Sequence, residues 1–293
     1  MIYRLLPILL ITAYTLGAEE SPHTSMKKGL RAYQTGNYTN AIEALQKTVL
    51  TYPDLGHYNL AAAHFKQNEF KEAATHFQEA LRSTDLTLQA DAYYNCGNAL
   101  LAQTTQLTGP EEIDTAIQLA FDAMEQYELS LRLNPTALDA KQNYEHASRL
   151  RLSLEFKQGK WFFDHAEKCL QENQAKQAQQ NYQQAQQQFE KILAEIDPTH
   201  HESTRLLPRT KERLAMLAQA VADTQADLTQ ALRLIQDYQY LLAAHILVRE
   251  NTERTYAFDI QPELKTRYEQ TMQKNQQIIT IVNDLLKEVN TAK

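Results

Sequence analysis

Four stretches of the sequence bring together side chains that could do chemistry. In DAYYNCGNALLAQ, Asp91 to Gln103, the Cys96 thiol stands beside Gly97. It would be a nucleophile if a strand-to-helix elbow offered it to a nearby base. His200-His201-Glu202 has the residue types of a metal site. His165 and Cys169 are four apart, on one face of any helix, and Glu111, Glu112 and Asp114 follow Pro110. Each fails on context. No strand signal precedes Cys96. Adjacent histidines on a loop do not easily face one ion, and no second ligand pair at i, i+4 spacing follows them. His165 and Cys169 read as a packed helix face, and the acids after Pro110 suit a helix start, where they oppose its dipole. A glycine-rich phosphate loop, a Ser-His-Asp order and a zinc ribbon are absent from the sequence. The expectation is a non-enzymatic chain with no catalytic, cofactor-binding or metal residues.

The elements that would position any site are helices. The 293 residues exceed one small core, so two structural units are expected. Hydrophobic content is 43%, mean hydropathy −0.53, and there are seven glycines and eight prolines. Ala, Leu, Gln and Glu recur while β-branched runs are scarce, which points to an all-α fold. The start, MIYRLLPILLITAYTLGAEES, has Arg4, an apolar run from Leu5 to Leu16, then small residues. This has the form of a secretory signal over residues 1–18, cut after Gly17 or Ala18. Leu16 fits poorly three residues before a cut at Ala18, so an uncleaved anchor is the alternative. Either way the expected place is exported: the periplasm, or the extracytoplasmic side of an inner membrane. No cysteine follows the run, against a lipoprotein. Loss of Arg4 takes the net charge from −7 to −8, and without a basic stripe nucleic acid is not an expected partner. Cys96 and Cys169 could pair on oxidation or stay free.

An internal repeat organises the first half. GNYTNAIEALQKTVLTYP, Gly36–Pro53, aligns with NEFKEAATHFQEALRSTD, Asn68–Asp85. Both place an aromatic three before an alanine, Tyr38/Ala41 and Phe70/Ala73, then a large apolar residue four later, Leu45 and Phe77. DAMEQYELSLRLNP repeats the pattern with Ala123, Tyr127 and Pro135. A preceding helix carries a small residue at each crossing point, Gly29, Ala61 and Gly97, in steps of 32 and 36 residues. The pattern resembles the tetratricopeptide repeat (TPR) family over about residues 22–152, in three to four repeats of period near 34. Departures are a missing aromatic near Ser25, Thr48 in place of alanine, an insertion near 103–120, and a fourth first helix, DAKQNYEHASRL, without a good partner. Under the resemblance Gly97 allows a close helix crossing. Cys96 then fills the neighbouring core position as a small hydrophobe.

The resemblance implies a superhelix whose concave wall is built from the first helix of each pair. Asn59, Asn95 and Asn143 fall two before the crossing position, where the family's asparagines hydrogen-bond an extended peptide; an amide can match both groups of a peptide unit. Tyr58 and Tyr94 flank them, Asn98 and His146 sit one turn further, and Tyr33 and Phe65 would line the other side. A purely structural role for the asparagines is the competing reading. A carboxylate clamp is not supported, since Arg149 and Lys66 are the only cations placed there. More finely, DAYYNCGNALL…AMEQYELSLRLNPTALDAKQNYEHA is similar to the TPR component of Bacteroides-aerotolerance (Bat) type envelope operons. That implies a scaffold working with membrane proteins that carry von Willebrand A domains.

From Lys157 onward the repeat is no longer read, and glutamines become abundant. Ala175, Ala178, Tyr182, Ala185, Phe189, Ile192 and Ile196 keep a coiled-coil spacing up to Pro198. A second seam from Leu214 to His245 predicts one helix over 210–248, about 58 Å long at 1.5 Å per residue. Pro262 predicts the first turn of a third helix, with Leu264, Tyr268, Thr271, Ile278, Val282, Leu285 and Val289 as its seam, weakened by Asn275. Residues 157–293 are thus expected as an antiparallel bundle of long helices, or as seams that pair between chains into a homo-oligomer. Two functions remain open: an adaptor holding a partner segment on the concave face, and a self-assembling structural coiled-coil protein.

Overall fold

The computed structural model describes residues 20–107, 109–249 and 251–291, and the expected signal or anchor at 1–18 lies outside them. Every regular element among the described residues is helical. The chain divides into two units, up to Arg149 and from Leu150. The first holds α1 (Pro22–Gln34), α2 (Tyr38–Gln46), α3 (Pro53–Lys66), α4 (Phe70–Ala80), α5 (Leu86–Gln103), α6 (Ile113–Leu133) and the start of α7 (Leu138–Gln171). The second holds the rest of α7, then α8 (Ala175–Lys191), α9 (His201–Gln236), α10 (Tyr240–Val248), α11 (Thr252–Ile260) and α12 (Pro262–Thr291). The fold class is the one read from the sequence: all-α helical pairs, followed along the chain by antiparallel long helices. No helix among the described residues is long and apolar enough to cross a membrane.

Local chemistry sets the boundaries. The Ser21 side chain caps α1 ahead of Pro22, Asn37 caps α2, and Asp85 accepts from the backbone of Thr87 and Leu88 to start α5. Pro53 and Pro262 open α3 and α12, where a missing N–H costs nothing. Inside the first unit, Ala41, Ala61, Ala73, Ala123 and Tyr127 are completely buried, as is Cys96. Burying a side chain as large as Leu45 or Phe77 contributes roughly 2 kcal/mol. Gly97 is needed for space. A Cβ there would stand 2.7 Å from the Tyr127 ring, and one at Gly29 would stand 2.6 Å from Leu45. Pro135 lies between α6 and α7, as the pattern required. The insertion is partly absorbed into helix, since α6 begins at Ile113. Gln106 fastens the remainder by donating to the Asn68 carbonyl at 2.9 Å.

The turns inside the helical pairs show what the sequence reading of the second half lacked. Gly36, Asn68, Asn173 and Tyr238 all have left-handed backbone, with φ of 77°, 62°, 59° and 61°. At each, the residue's N–H bonds the carbonyl three back, and the next N–H bonds the carbonyl five before itself (Asn37 to Ala32, Glu69 to His64, Gln174 to Cys169, Gln239 to Leu234). This is a Schellman ending repeated four times. Seven residues before each turn lies a buried small residue: Gly29, Ala61, Ala166 and Ala231. Five after it lies a fully buried alanine: Ala41, Ala73, Ala178 and Ala243. Nine after it comes a large buried residue: Leu45, Phe77, Tyr182 and Leu247. The repeat's local pattern therefore does not stop at Lys157. It recurs in the α7–α8 and α9–α10 hairpins of the second unit.

The single helix expected over 210–248 is corrected by the last of these turns. α9 starts earlier, at His201, and ends at Gln236, and Tyr238 reverses the chain into α10. The apolar periodicity ran through the break because both hairpin helices bury the same kind of stripe. The 175–192 seam is buried as expected, Ala175 through Ile192, against α9 and α11. The α10 C-terminus is held by Arg254, which donates to the carbonyls of Ile246, Leu247 and Arg249, pairs with Asp227 at 2.8 Å and lies 4.6 Å over the Tyr268 ring.

Candidate functional site

The first unit carries a concave groove of about 480 Å³ on α1, α3 and α5, with α2 and α4 behind it. Its position follows from the repeat. The first helix of each pair presents one face inward, and residues four and seven apart fall on that face. Tyr33, Tyr58, Phe65 and Tyr94 supply the apolar surface, Asn59, Asn95 and Asn98 the amides, and Lys66 a cation. The rings are set by packing. Tyr58 meets Phe77 edge-on at 5.5 Å, and Tyr94 lies 6.1 Å from Tyr127.

The amides are already engaged with one another. Asn95 donates to the Tyr58 hydroxyl at 3.0 Å and to the Asp91 carbonyl at 2.9 Å. Asn143 donates to the Asn98 side-chain Oδ1 at 2.7 Å and to the Tyr94 hydroxyl at 3.3 Å. Tyr127 donates to the same Asn98 oxygen at 2.9 Å, and Asn98 donates to Asn95 at 3.4 Å. The Asn95–Tyr58 bond ties α5 to α3 and the Asn143 bonds tie α7 to α5, each between successive first helices. Asn59 differs: among the described residues its amide donates to the Met26 sulfur at 3.6 Å, a weak acceptor, and it lines the groove with hydrogen-bonding capacity to spare. Burial, then the Asp91 carboxylate, pushes the Tyr58 hydroxyl above its ordinary pKa and keeps it a neutral donor and acceptor.

The structure thus brings Tyr58, Asn59, Tyr94, Asn95 and Asn98 together in one groove, with Tyr33 and Phe65 on its other wall. Asn143 joins through hydrogen bonds rather than as lining. His146 does not join: it is exposed and outside the groove, because α7 turns that side of its helix to solvent. The other candidates settle into structural places. Cys96 is fully buried, its thiol pushed up to about 12 by burial and then by Asp122, with the Ala74 carbonyl at 3.8 Å as its polar neighbour. Such a thiol is inert. Cys169 is also buried and free, and His165 stacks on Trp161 at 5.0 Å instead of turning to it. His200 is the N-cap of α9 rather than a loop residue, accepting from the Ser203 N–H, while His201 is exposed.

One cluster escaped the sequence reading. His57 Nδ1 lies 3.0 Å from His76 Nδ1, the His64 ring stacks 5.3 Å from His76, and His64 Nδ1 meets Glu69 at 2.6 Å. Burial first, then His57 and His64, lower the His76 pKa to about 4. The available signal was His57 and His64 seven apart on one helix face, with His76 on the facing helix of the pair. Among the described residues, no group of three or more His, Cys, Asp or Glu is placed to hold a metal ion.

Residues 26–87 and 58–130 match the tetratricopeptide repeat family model. The chain is similar to a solved TPR repeats protein from Bacteroides fragilis, 15% identical, covering 88% of this chain and 99% of that one with a TM-score of 0.31. No curated protein sequence matches it. The stretch from residue 26 to residue 130, which holds most of the groove, is therefore similar to tetratricopeptide repeats, modules that generally mediate protein–protein interaction.

Proposed function

We propose that the chain is a non-catalytic adaptor of the cell envelope that holds an extended segment of a partner protein in the α1–α3–α5 groove. The observation that carries this is the pairing of chemistries there. The Tyr33, Tyr58, Phe65 and Tyr94 rings would bury apolar side chains, and Asn59 has an amide free to match a peptide unit. The Asn95–Tyr58 and Asn143–Tyr94 bonds give the asparagines a structural duty as well, so the two readings of the ladder divide by position. Asn59 is the recognition amide, and Asn95 and Asn143 stiffen the wall.

Export rests on the form of residues 1–18, and the partner class on the likeness of residues 91–147 to the Bat-type TPR component. In that setting the partner segment belongs to a membrane protein with a von Willebrand A domain. The test is selection of binding peptides from a random library on the full chain, then titration of the winners on Asn59→Ala and Phe65→Ala, which leave the Asn95 and Asn143 bonds intact. Affinity should fall about tenfold or more for each. Unchanged affinity on both would move the binding surface elsewhere and remove the adaptor reading. N-terminal sequencing of the chain recovered from envelope fractions, expected to begin at Ala18 or Glu19, tests export separately.

A further inference from the structure

The end of the second unit presents an apolar face that its own fold leaves open. The α12 seam follows strict heptad spacing: Leu264, Tyr268, Thr271, Asn275, Ile278, Val282 and Leu285. Its first half is buried within the unit, from Leu264 to Asn275, whose amide donates to the Tyr240 carbonyl at 2.9 Å. The second half keeps the same register and runs out of partners, with Val282 40% and Leu285 56% exposed. Ile281 and Leu286 beside them are equally bare, and so are Leu241 and Leu242 on α10. Between the two helices Leu241, Leu242, Val282 and Leu286 line an open groove of about 490 Å³. In a helical-pair array such a face is where the next helix packs, and a terminal helix must otherwise be polar outside for solubility. Among the described residues no helix covers it.

We propose that a second copy of this chain covers it, α12 against α12 across a twofold axis, with the Ile281–Leu285 ridge of each copy seated in the α10–α12 groove of the other. Three observations select a second copy. The face holds both a ridge and a groove lined by aliphatic side chains, which an isologous contact requires of a single surface. Its charge is neutral: across residues 275–287 the charged residues are Asp284 and Lys287, which pair with each other at 3.4 Å, and α10 adds only His245. In a chain of net charge −7 this is a place where two copies meet without repulsion. The exposed aliphatic side chains and the Tyr238 ring present on the order of 600 Å², at the top of what monomers expose and near the ~800 Å² each partner gives a standard interface.

The test is sedimentation equilibrium of the full chain beside Ile281→Asp/Leu285→Asp, both at exposed positions that leave the packed half of α12 alone. The parent should dimerise reversibly in the micromolar range, and the double variant should weaken that at least 100-fold with unchanged helicity. A parent monomeric at 100 µM overturns the proposal, and so does a dimer that survives the double variant. As a second readout that does not depend on the aspartates, a mixture of Leu285→Cys and Leu242→Cys chains should form a mixed disulfide-linked dimer under mild oxidation, because the ridge of one copy meets the groove of the other and Cys96 and Cys169 are buried. No cross-link at concentrations where the parent dimerises places the contact elsewhere and overturns it as well.

Discussion

Gly36 and Asn68 in the first unit and Asn173 and Tyr238 in the second occupy the same left-handed turn with the same hydrogen bonds, yet the surfaces around them share almost nothing. Around the first pair, amides and phenols bind one another along a concave wall. Around the second pair the polar contacts are ionic. Arg213 pairs with Glu167 at 2.9 Å, the Tyr182 hydroxyl donates to the same carboxylate, and the fully buried Glu155 meets Lys191 at 2.6 Å. The two regions separate two kinds of information. A small residue, a left-handed turn and a buried alanine at fixed intervals fix the hairpin, and they leave the exposed helix faces free to carry different chemistry.

The largest way to break that comparison is at a crossing point. Gly97→Val, whose Cβ would collide with Tyr127, should cost the first unit about 3 kcal/mol. It would appear as an early loss of helicity on heating, while fluorescence of the single tryptophan, Trp161 in the second unit, keeps its parent midpoint. If both signals shift together, the units do not melt independently. In the second unit Arg254→Met would take a donor from the Leu247 and Arg249 carbonyls at the end of α10 and the partner from Asp227, and should cost about 2 kcal/mol in urea unfolding.

The histidine cluster distinguishes the first unit by pH. His76 binds its proton more weakly in the folded chain, at about 4, than its ordinary value near 6.5. The unfolded chain therefore carries the extra proton between those limits, so stability is full above pH 6.5 and falls as pH drops toward 4. Glu79 and Glu72 oppose the shift, and His76 is only partly buried, so the expected loss is only ~1 kcal/mol. His76→Gln should flatten the melting temperature across that window relative to the parent. The smallest effect is expected at Tyr238, the one turn residue with a bulky side chain. Tyr238→Asn should raise stability by about 0.5 kcal/mol, where Asn68→Gly, already at an amenable residue, changes little.

Much of this could be read from residue types. Tyr38/Ala41/Leu45 and Phe70/Ala73/Phe77 announce their helices because aromatic, alanine and large apolar residues recur at a helical interval. The second unit hid the same grammar for two physical reasons. Its small crossing residues are alanines, Ala166 and Ala231, among many alanines, and its last turn uses a tyrosine where glycine or asparagine would have flagged it. Periodicity cannot see a hairpin whose two helices bury matching stripes, which is why 210–248 read as one rod. In the groove, residue type located Tyr58, Asn59, Tyr94, Asn95 and Asn98. It could not tell that Asn95 and Asn143 spend their donors on the neighbouring helix, because that depends on how far apart α3, α5 and α7 stand. His146 keeps the register of the repeat one turn beyond Asn143 and is exposed outside the groove's lining.

The bonds from Asn95 to Tyr58 and from Asn143 to Tyr94 have a mechanical meaning. Each is a tie between the first helices of consecutive pairs, so a change in the spacing of those helices stretches it directly. A segment that entered the groove and drew either amide toward itself would cut a tie and soften the coil at that step, whereas one that used Asn59 alone would leave its stiffness intact. The spacing of α3, α5 and α7 is thereby held in part by side chains at the groove's own surface.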